Sequence, residues 1–500
     1  MRGVQGRISG PALLGFLAVA GGMAWMLLRL SAAGSTAKAL GLLLLIPASI
    51  AAVLNVYAGL FILIVVASTD AFMKAWLQQS WPSLLMKDYF MLLCLIGWLS
   101  GRPWQQRKGS TNHPLFAPVI AFTVWVLLEI FNWNALSLPA SLAGARAWLI
   151  WIPLFFITYD TVHTQRALAW LVSWVGLVGG LVGAYGLVQF KYGASGLLDI
   201  SPDFGYALSR YKWWQGTGEA VSRAFSSLSG PNELGIFMAV TTLLAAGGFL
   251  RSRRAVGKLG WALVGVAAVA GMVAAGTRAG FVITAFGLLV MLATARRLRL
   301  AVSVLALISL AAVVTVSITG PITLARVTLI WEDMGYTLHR PYSPWRSAFE
   351  YAPKYPLGRG LDSGQGMAYS LYQSERFAMQ GHFLENQYAQ ALADLGLIGL
   401  GLYLWMLYTV LRSAYWAVRQ LEGEDSYYLA LGVFGVMAAL CLSLLVKANL
   451  YTAPNGLLFW ILLGASTGVA AEASALVRRA PTEQEVRACQ GSAMAAAPGG

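Results

Sequence analysis

Long apolar runs separated by short polar stretches are the main pattern along this chain of 500 residues. Runs of roughly 18 or more predominantly apolar residues recur, and each is long enough to cross a bilayer as a helix. The stretch from 38 to 73 is compatible with two short spans or one broken span. In total the pattern predicts about fourteen spans, at 10–30, 38–54, 57–73, 84–101, 115–132, 142–160, 167–190, 231–250, 258–276, 278–295, 299–318, 388–412, 427–447 and 455–476.

The composition supports the same prediction. Hydrophobic residues make up 58% of the chain and charged residues only 11%, whereas soluble proteins carry about 25% charged residues. We therefore expect an all-α polytopic membrane protein of about 12–14 transmembrane helices. The net charge of +14 does not indicate a nucleic-acid partner, because Lys and Arg concentrate in short loops between spans. Scattered cysteines and histidines predict neither a disulfide framework nor a metal site.

The distribution of basic residues also predicts the orientation of the chain. With the N-terminus in the cytoplasm, most short basic loops lie in the cytoplasm, as the positive-inside rule expects. The first apolar run is long and is followed by Arg29, so we interpret it as a span rather than a cleaved signal peptide. The predicted organisation is helices 1–11 within residues 1–318, with an external loop at about 191–230, a large external loop at 319–387, helices 12–14 within 388–476, and a disordered cytoplasmic tail at 477–500.

Four arginines are predicted at or near the outer face, where the positive-inside rule disfavours them. They are Arg146, Arg223, Arg278 and Arg346. Each side chain taken alone is compatible with snorkelling to the lipid headgroups. Together they favour a site for an anionic group, because guanidinium groups bind phosphate oxygens bidentately. A phosphate joined to a lipid fits this location.

A second polar cluster lies in the stretch GHFLENQYAQALADLGLIGLG, residues 381–401. If a helix starts near Asn386, its first N–H groups and its dipole favour an anion. The alternative is that Glu385 and Asn386 only cap the helix. Asn386, Gln390 and Asp394 share one helix face, because four residues turn the chain by only about 40° more than a full turn. A carboxylate at the depth of Asp394 is expected to face protein or a wet cavity rather than lipid.

Four segments in this order resemble the O-antigen ligase and O-antigen polymerase superfamily of bacterial envelope glycosyltransferases. The segment RAFSSLSGPNELGIFM is similar to the family's arginine segment with a proline–asparagine pair, here Pro231 and Asn232. The turn TRAGF, the loop segment WRSAFEYAPKYPLGRGLDSG and the helix start ENQYAQALADLGLIG are similar to three further family motifs. The resemblance extends from about residue 140 to 412.

The resemblance implies a GT-C-like fold and transfer of a glycan from an undecaprenyl-diphosphate carrier at the periplasmic side of the bacterial inner membrane, without a cofactor or catalytic metal. It implies that Arg146, Arg223, Arg278 and Arg346 bind the diphosphate, with Asn232 and Asp394 as supporting residues. The expected partners are the lipid-linked donor, a glycan or lipid-linked acceptor, the bilayer and other polysaccharide assembly proteins.

One position departs from the family pattern. Ligases carry histidine directly before the asparagine, where this chain has Glu385, with His382 three residues earlier. The departure favours a repeat-unit polymerase over a ligase that transfers finished glycan to lipid A-core or another acceptor. Glu385 is the first candidate for the base and His382 the second, with Asn386 beside them. A lipid-linked glycan transporter or flippase and a non-catalytic assembly scaffold are the alternatives from other classes.

Overall fold

The computed structural model of the protein describes residues 45–76, 81–101, 112–193, 212–214, 220–295, 348–350, 352–361 and 385–479. Within these residues the chain is almost entirely helical, and the all-α architecture predicted from the apolar runs is confirmed. The helices are α1 (Leu45–Leu54), α2 (Val56–Ser68), α3 (Asp70–Trp76), α4 (Trp81–Gly101), α5 (Phe116–Glu129), α6 (Leu138–Leu149), α7 (Pro153–Thr161), α8 (Gln165–Tyr192), α9 (Pro231–Arg251), α10 (Ala255–Ala275), α11 (Arg278–Ala295), α12 (Gln387–Gln420), α13 (Tyr427–Ser443) and α14 (Asn455–Arg479). A small antiparallel hairpin, β1 (Lys212–Trp214) and β2 (Ala220–Ser222), precedes α9.

The described part of the chain has seven apolar helical segments long enough to cross a membrane. They make this a multi-pass membrane protein. One of them, Leu138–Thr161, combines α6 and α7, which a turn before Pro153 separates. Four shorter apolar helices, α1, α2, α5 and α13, accompany them. The predicted spans at 10–30 and 299–318 lie outside the described residues, so the total of about fourteen stays a prediction.

Local sequence signals account for several helix boundaries. Ser137 begins α6 by accepting a hydrogen bond from the Ala140 N–H at 3.3 Å, and Thr164 begins α8 in the same way through the Ala167 N–H at 3.1 Å. Both are N-caps of the preferred residue types. Pro231 opens α9, where its missing N–H is not needed.

Helix α9 forms the centre of the bundle. It packs against α8, α10, α11 and α13, and nearly all of its residues from Pro231 to Gly248 are buried. Around it, small residues bring backbones together: a Cβ on Gly271 of α10 would lie 2.7 Å from the Cα of Gly183 on α8. Such close approach is the usual way in which helices associate inside a membrane.

Helix α12 is broken at Gly396, whose φ of 70° and ψ of −168° are not helical. The break divides α12 into a first segment, residues 387–395, and a long apolar segment from 397 to 420. We call residues 387–395 the entrance segment. Helix α12 packs against α5, α13 and α14.

Residues of the large predicted loop fill this break. In a straight helix the Leu397 N–H would bond to the Ala393 carbonyl. Here Leu397 donates instead to the Pro356 carbonyl at 3.0 Å, and the Ala393 carbonyl accepts from the Arg359 N–H at 2.8 Å. One helical hydrogen bond is therefore replaced by two bonds to residues 355–360. We call this contact between residues 355–360 and the break the joint.

The joint requires glycine on both sides. Gly358 has a φ of 103°, and a Cβ there would lie 2.4 Å from the Asp394 carbonyl oxygen. A Cβ on Gly396 would lie 2.4 Å from the Pro356 oxygen. The first glycine of the PLGRG motif, Gly358, and the first glycine of the GLIG motif, Gly396, are thus explained by one close backbone contact.

We predict that Gly396→Ala lowers the stability of the protein. The backbone conformation of Gly396 is one that essentially only glycine adopts, and forcing alanine into it costs about 1–3 kcal/mol before the clash with Pro356 is added. The measurement is the thermal unfolding midpoint in detergent. Gly401→Ala on the same helix is the control, because a Cβ there has no atom within 4 Å and alanine is favoured over glycine in helices. Equal midpoints for the two variants would contradict the role of the joint.

Candidate functional site

Four helices, α9, α11, α12 and α14, begin at the same end of the bundle, which we call the site end. Three hydrogen bonds connect their first turns and adjoining loops. The Arg223 side chain donates to the Ala275 carbonyl just before α11, Asn455 of α14 donates to the Glu233 carbonyl of α9, and Asn386 at α12 donates to Leu445 in the α13–α14 loop. Helix N-termini present N–H groups and a partial positive charge, so this end favours anions.

Arg223 is held by two hydrogen bonds. Its Nε donates to the Ala275 carbonyl at 3.0 Å, and its Nη2 donates to Asn232 Oδ1 at 3.2 Å. Asn232, the expected supporting residue, therefore orients the guanidinium directly. The following loop is fixed as well, because Gln189 Oε1 on α8 accepts from the N–H groups of Phe225 and Ser226 at 2.9 and 2.8 Å. Nothing in the sequence pattern indicated Gln189.

Arg278 is the first residue of α11 and follows the turn at Gly276, where α10 ends in a left-handed conformation. The same turn binds the Arg223 segment: the Ala224 N–H donates to the Ala274 carbonyl at 3.0 Å, beside the Arg223 bond to Ala275. The structure thus brings the backbones of Arg223 and Arg278 together. That their guanidinium groups share one cavity stays a prediction.

Arg146 is placed differently. On α6 it forms an ion pair with Asp88 of α4, to which its Nε donates at 2.7 Å and its Nη2 also donates. The charge of Arg146 is therefore matched by a carboxylate within the protein. The two remaining candidates with basic or imidazole side chains, Arg346 and His382, lie outside the described residues.

A further charged cluster adjoins the start of α9. Asp70 of α3 forms ion pairs with Lys74 at 2.5 Å and Lys87 at 2.9 Å, and its other contact is Ser229, whose hydroxyl donates to it at 3.1 Å. The cluster ties α3 and α4 to the site end through Ser229.

Asn386 is the N-cap of α12. Its Oδ1 accepts from the N–H groups of Tyr388 and Ala389 at 2.9 and 3.0 Å, while its Nδ2 donates to the Leu445 carbonyl at 2.8 Å. The amide thus both starts the helix and attaches it to the α13–α14 loop. Glu385 precedes the cap and is exposed. Of the two residues considered as caps, Asn386 has this role, and the Glu385 carboxylate lies at the surface of the entrance.

The face made by Asn386, Gln390 and Asp394 is fully buried, with exposures of 2%, 1% and 0%. These residues lie in and directly before the entrance segment, on the near side of the break at Gly396. Gln390 Oε1 has no hydrogen-bond partner in the part of the chain that the structure describes. The polar face is therefore enclosed behind the helix entrance rather than exposed to lipid.

An ion pair that the sequence did not predict links the α13–α14 loop to the start of α9. Lys447 Nζ in the α13–α14 loop lies 2.8 Å from Glu233 Oε1 in the first turn of α9. The pair ties the α13–α14 loop, which also binds Asn386, to the start of α9. An acidic residue in the first turn is an ordinary helix signal, but no local pattern pairs Glu233 with a lysine so far along the chain.

Part of the chain matches a known protein family. Residues 262–404 match the family described as O-Antigen ligase, and no curated protein matches the chain. The matched region contains Arg278, Glu385, Asn386, Asp394 and both sides of the joint, whereas Arg146 and Arg223 precede it. The resemblance to the O-antigen ligase and O-antigen polymerase superfamily that the sequence predicted is thereby confirmed for residues 262–404.

Proposed function

We propose that the protein transfers a glycan from an undecaprenyl-diphosphate-linked donor to a sugar hydroxyl at the outer face of the bacterial inner membrane, as a polysaccharide repeat-unit polymerase. The observation that supports this most is the meeting of Arg223 and Arg278 at one turn, at the end of a membrane bundle where four helices begin. In this proposal the site end faces the periplasm and the fold is GT-C-like.

The leaving group is the oligoprenyl diphosphate. Arg223 and Arg278, with Arg346 or Arg146 nearby, neutralise the charge that grows on it as the glycosidic bond breaks. Preorganised donors of this kind stabilise the transition state more than they would in water. The helix N-termini of α9 and α11 add to the positive potential at the same place. In this proposal the protein needs no metal or cofactor, and these residues supply the electrophilic assistance.

Glu385, or His382 in its place, accepts the proton of the attacking hydroxyl. A positioned base contributes about 10²–10⁴-fold to the rate. Asn386 holds the helix start that carries this base, and Asp394 supports the entrance segment from within the bundle. The exposure of Glu385 is compatible with access by an acceptor sugar.

An apolar cavity beside the entrance suits the hydrocarbon part of a lipid-linked substrate. It has a volume of about 750 Å³, within the range of about 300–1,000 Å³ that ligand sites occupy. Side chains of α11, α12 and α13 line it, and Tyr388 and Leu445 stand at the level of the Asn386 cap. A lipid chain here would place its phosphates near the site end.

A ligase is the second candidate, and Glu385 in the position of the ligase histidine is the feature that favours the polymerase. We expect deletion of the gene to abolish long surface polysaccharide while single-repeat product remains. The measurement is the length distribution of surface and carrier-bound glycan. Long chains that accumulate on the carrier would instead identify a ligase.

We predict that the purified protein releases undecaprenyl diphosphate from lipid-linked oligosaccharide, and that Arg223→Lys and Arg278→Lys each reduce this turnover about ten- to a hundredfold. A lysine does not reproduce a bidentate fork, and hydrogen bonds to charged groups contribute about 1.5–3 kcal/mol. Arg253→Lys is the control, since Arg253 is an exposed residue paired with Asp425 away from the site. Wild-type protein without release would support the flippase or scaffold alternatives.

We also predict that Glu385→Gln or His382→Ala lowers the specific activity per folded molecule by about two to four orders of magnitude, the loss expected for a general base. Thr164→Ala serves as the comparison, because it removes the N-cap of α8, which costs roughly 0.5–2 kcal/mol of stability without touching the site. If both Glu385→Gln and His382→Ala keep more than about a third of the wild-type rate, neither residue is the base.

A further inference from the structure

One face at the end of α5 contacts both sides of the joint. Trp125 Nε1 donates to the Leu395 carbonyl at 3.0 Å, at the end of the entrance segment. Asn132, in the turn after α5, donates to the Gly358 carbonyl at 3.2 Å. Glu129 lies between them in sequence and accepts from Asn132 at 2.6 Å. Trp125 and Glu129 are four residues apart and therefore lie on one side of α5. Asn132 follows in the turn and bonds back to Glu129.

The amide of Asn132 has its full set of partners. Its Nδ2 carries two hydrogens, which bond to Glu129 Oε2 and to the Gly358 carbonyl, while its Oδ1 accepts from the Asn134 N–H at 2.8 Å. The Gly358 carbonyl can only accept and the Asn134 N–H can only donate, so these two partners determine the orientation of the amide. Glu129 is 5% exposed, and a buried carboxyl of this kind is kept only where it has a hydrogen-bond partner.

The contacts lead directly to the helix entrance. Residues 387–395 form a rigid segment about 13 Å long at 1.5 Å per residue, with Asn386 at its start. The start is tied to the α13–α14 loop through Asn386 and through Gln387, which contacts Leu444 and Leu450. The other end is tied through the joint and through Trp125. A tilt at the joint would therefore displace the entrance.

We propose that Trp125, Glu129 and Asn132 are positioning residues for the transferase site: they hold the joint and thereby fix the entrance segment that carries Asn386 and the base. This inference rests on the proposed function for its activity readout. Misplacement of reacting groups by about 1 Å costs about a hundredfold in rate. A residue that acts this way changes the rate of the bound complex more than the affinity for the donor.

The test compares Asn132→Ala, Glu129→Ala and Glu129→Gln with the wild type in detergent. Glutamine keeps an acceptor for Asn132 and alanine does not, so the pair is matched at one position. We expect kcat per folded molecule to fall about ten- to a hundredfold in Asn132→Ala and Glu129→Ala, with KM for lipid-linked donor within about threefold. Glu129→Gln restores most of the rate. Asn134→Ala, which removes a weaker 3.5 Å contact to Gly358, is the control and keeps nearly full activity.

A second readout is independent of activity. Hydrogen exchange followed by mass spectrometry should show faster exchange of the amides at 387–397 in Asn132→Ala, with exchange in α9 unchanged. If exchange in this segment and kcat both match the wild type, the inference is wrong. A uniform loss of protection with unchanged kcat per folded molecule would also overturn it, because that outcome is purely structural. If wild-type protein shows no transfer, the proposed function fails, while the exchange result still decides whether α5 holds the entrance.

Discussion

Where a membrane helix is interrupted, backbone N–H and C=O groups lose their helical hydrogen bonds. They need other partners within the protein, because lipid supplies none. In this protein residues 355–360 supply them. The Ala393 carbonyl and the Leu397 N–H, which would bond to each other in a straight helix, instead bond to Arg359 and Pro356. The position of the entrance segment is therefore set by a loop far away in sequence, and the geometry of the site depends on that contact.

The site end differs from an ordinary membrane surface in how its cations are paired. Arg146 meets a carboxylate, Asp88, whereas Arg223 is held by the neutral amide of Asn232 and by a backbone carbonyl. These two acceptors hold the Arg223 guanidinium in one orientation before any substrate binds, which is the preorganisation that the proposed phosphate contact requires.

The sequence predicted the long helices well, since an apolar run of sufficient length has few alternatives in a membrane protein. It also predicted a helix start near Asn386, because the change from polar to apolar residues is local. It did not predict the partners that complete the site. Asp88 lies 58 positions from Arg146, the Glu233–Lys447 pair connects segments that are still more distant, and the joint connects residues 355–360 to the break in α12. Such contacts depend on the packing of whole helices, which no local pattern encodes.

The joint also explains why the polar face of α12 lies where it does. If α12 were straight, Asn386, Gln390 and Asp394 would continue the line of a long membrane helix, with a carboxylate about two turns inside it. The break at Gly396 comes two residues after Asp394, so Gln390 and Asp394 lie in the short entrance segment, with Asn386 as its N-cap. All three residues are buried, and the Asn386 amide bonds to the Leu445 carbonyl and to two N–H groups of the first turn. These bonds offset the cost of burying Asn386, which allows a polar helix entrance to exist at the edge of an apolar bundle.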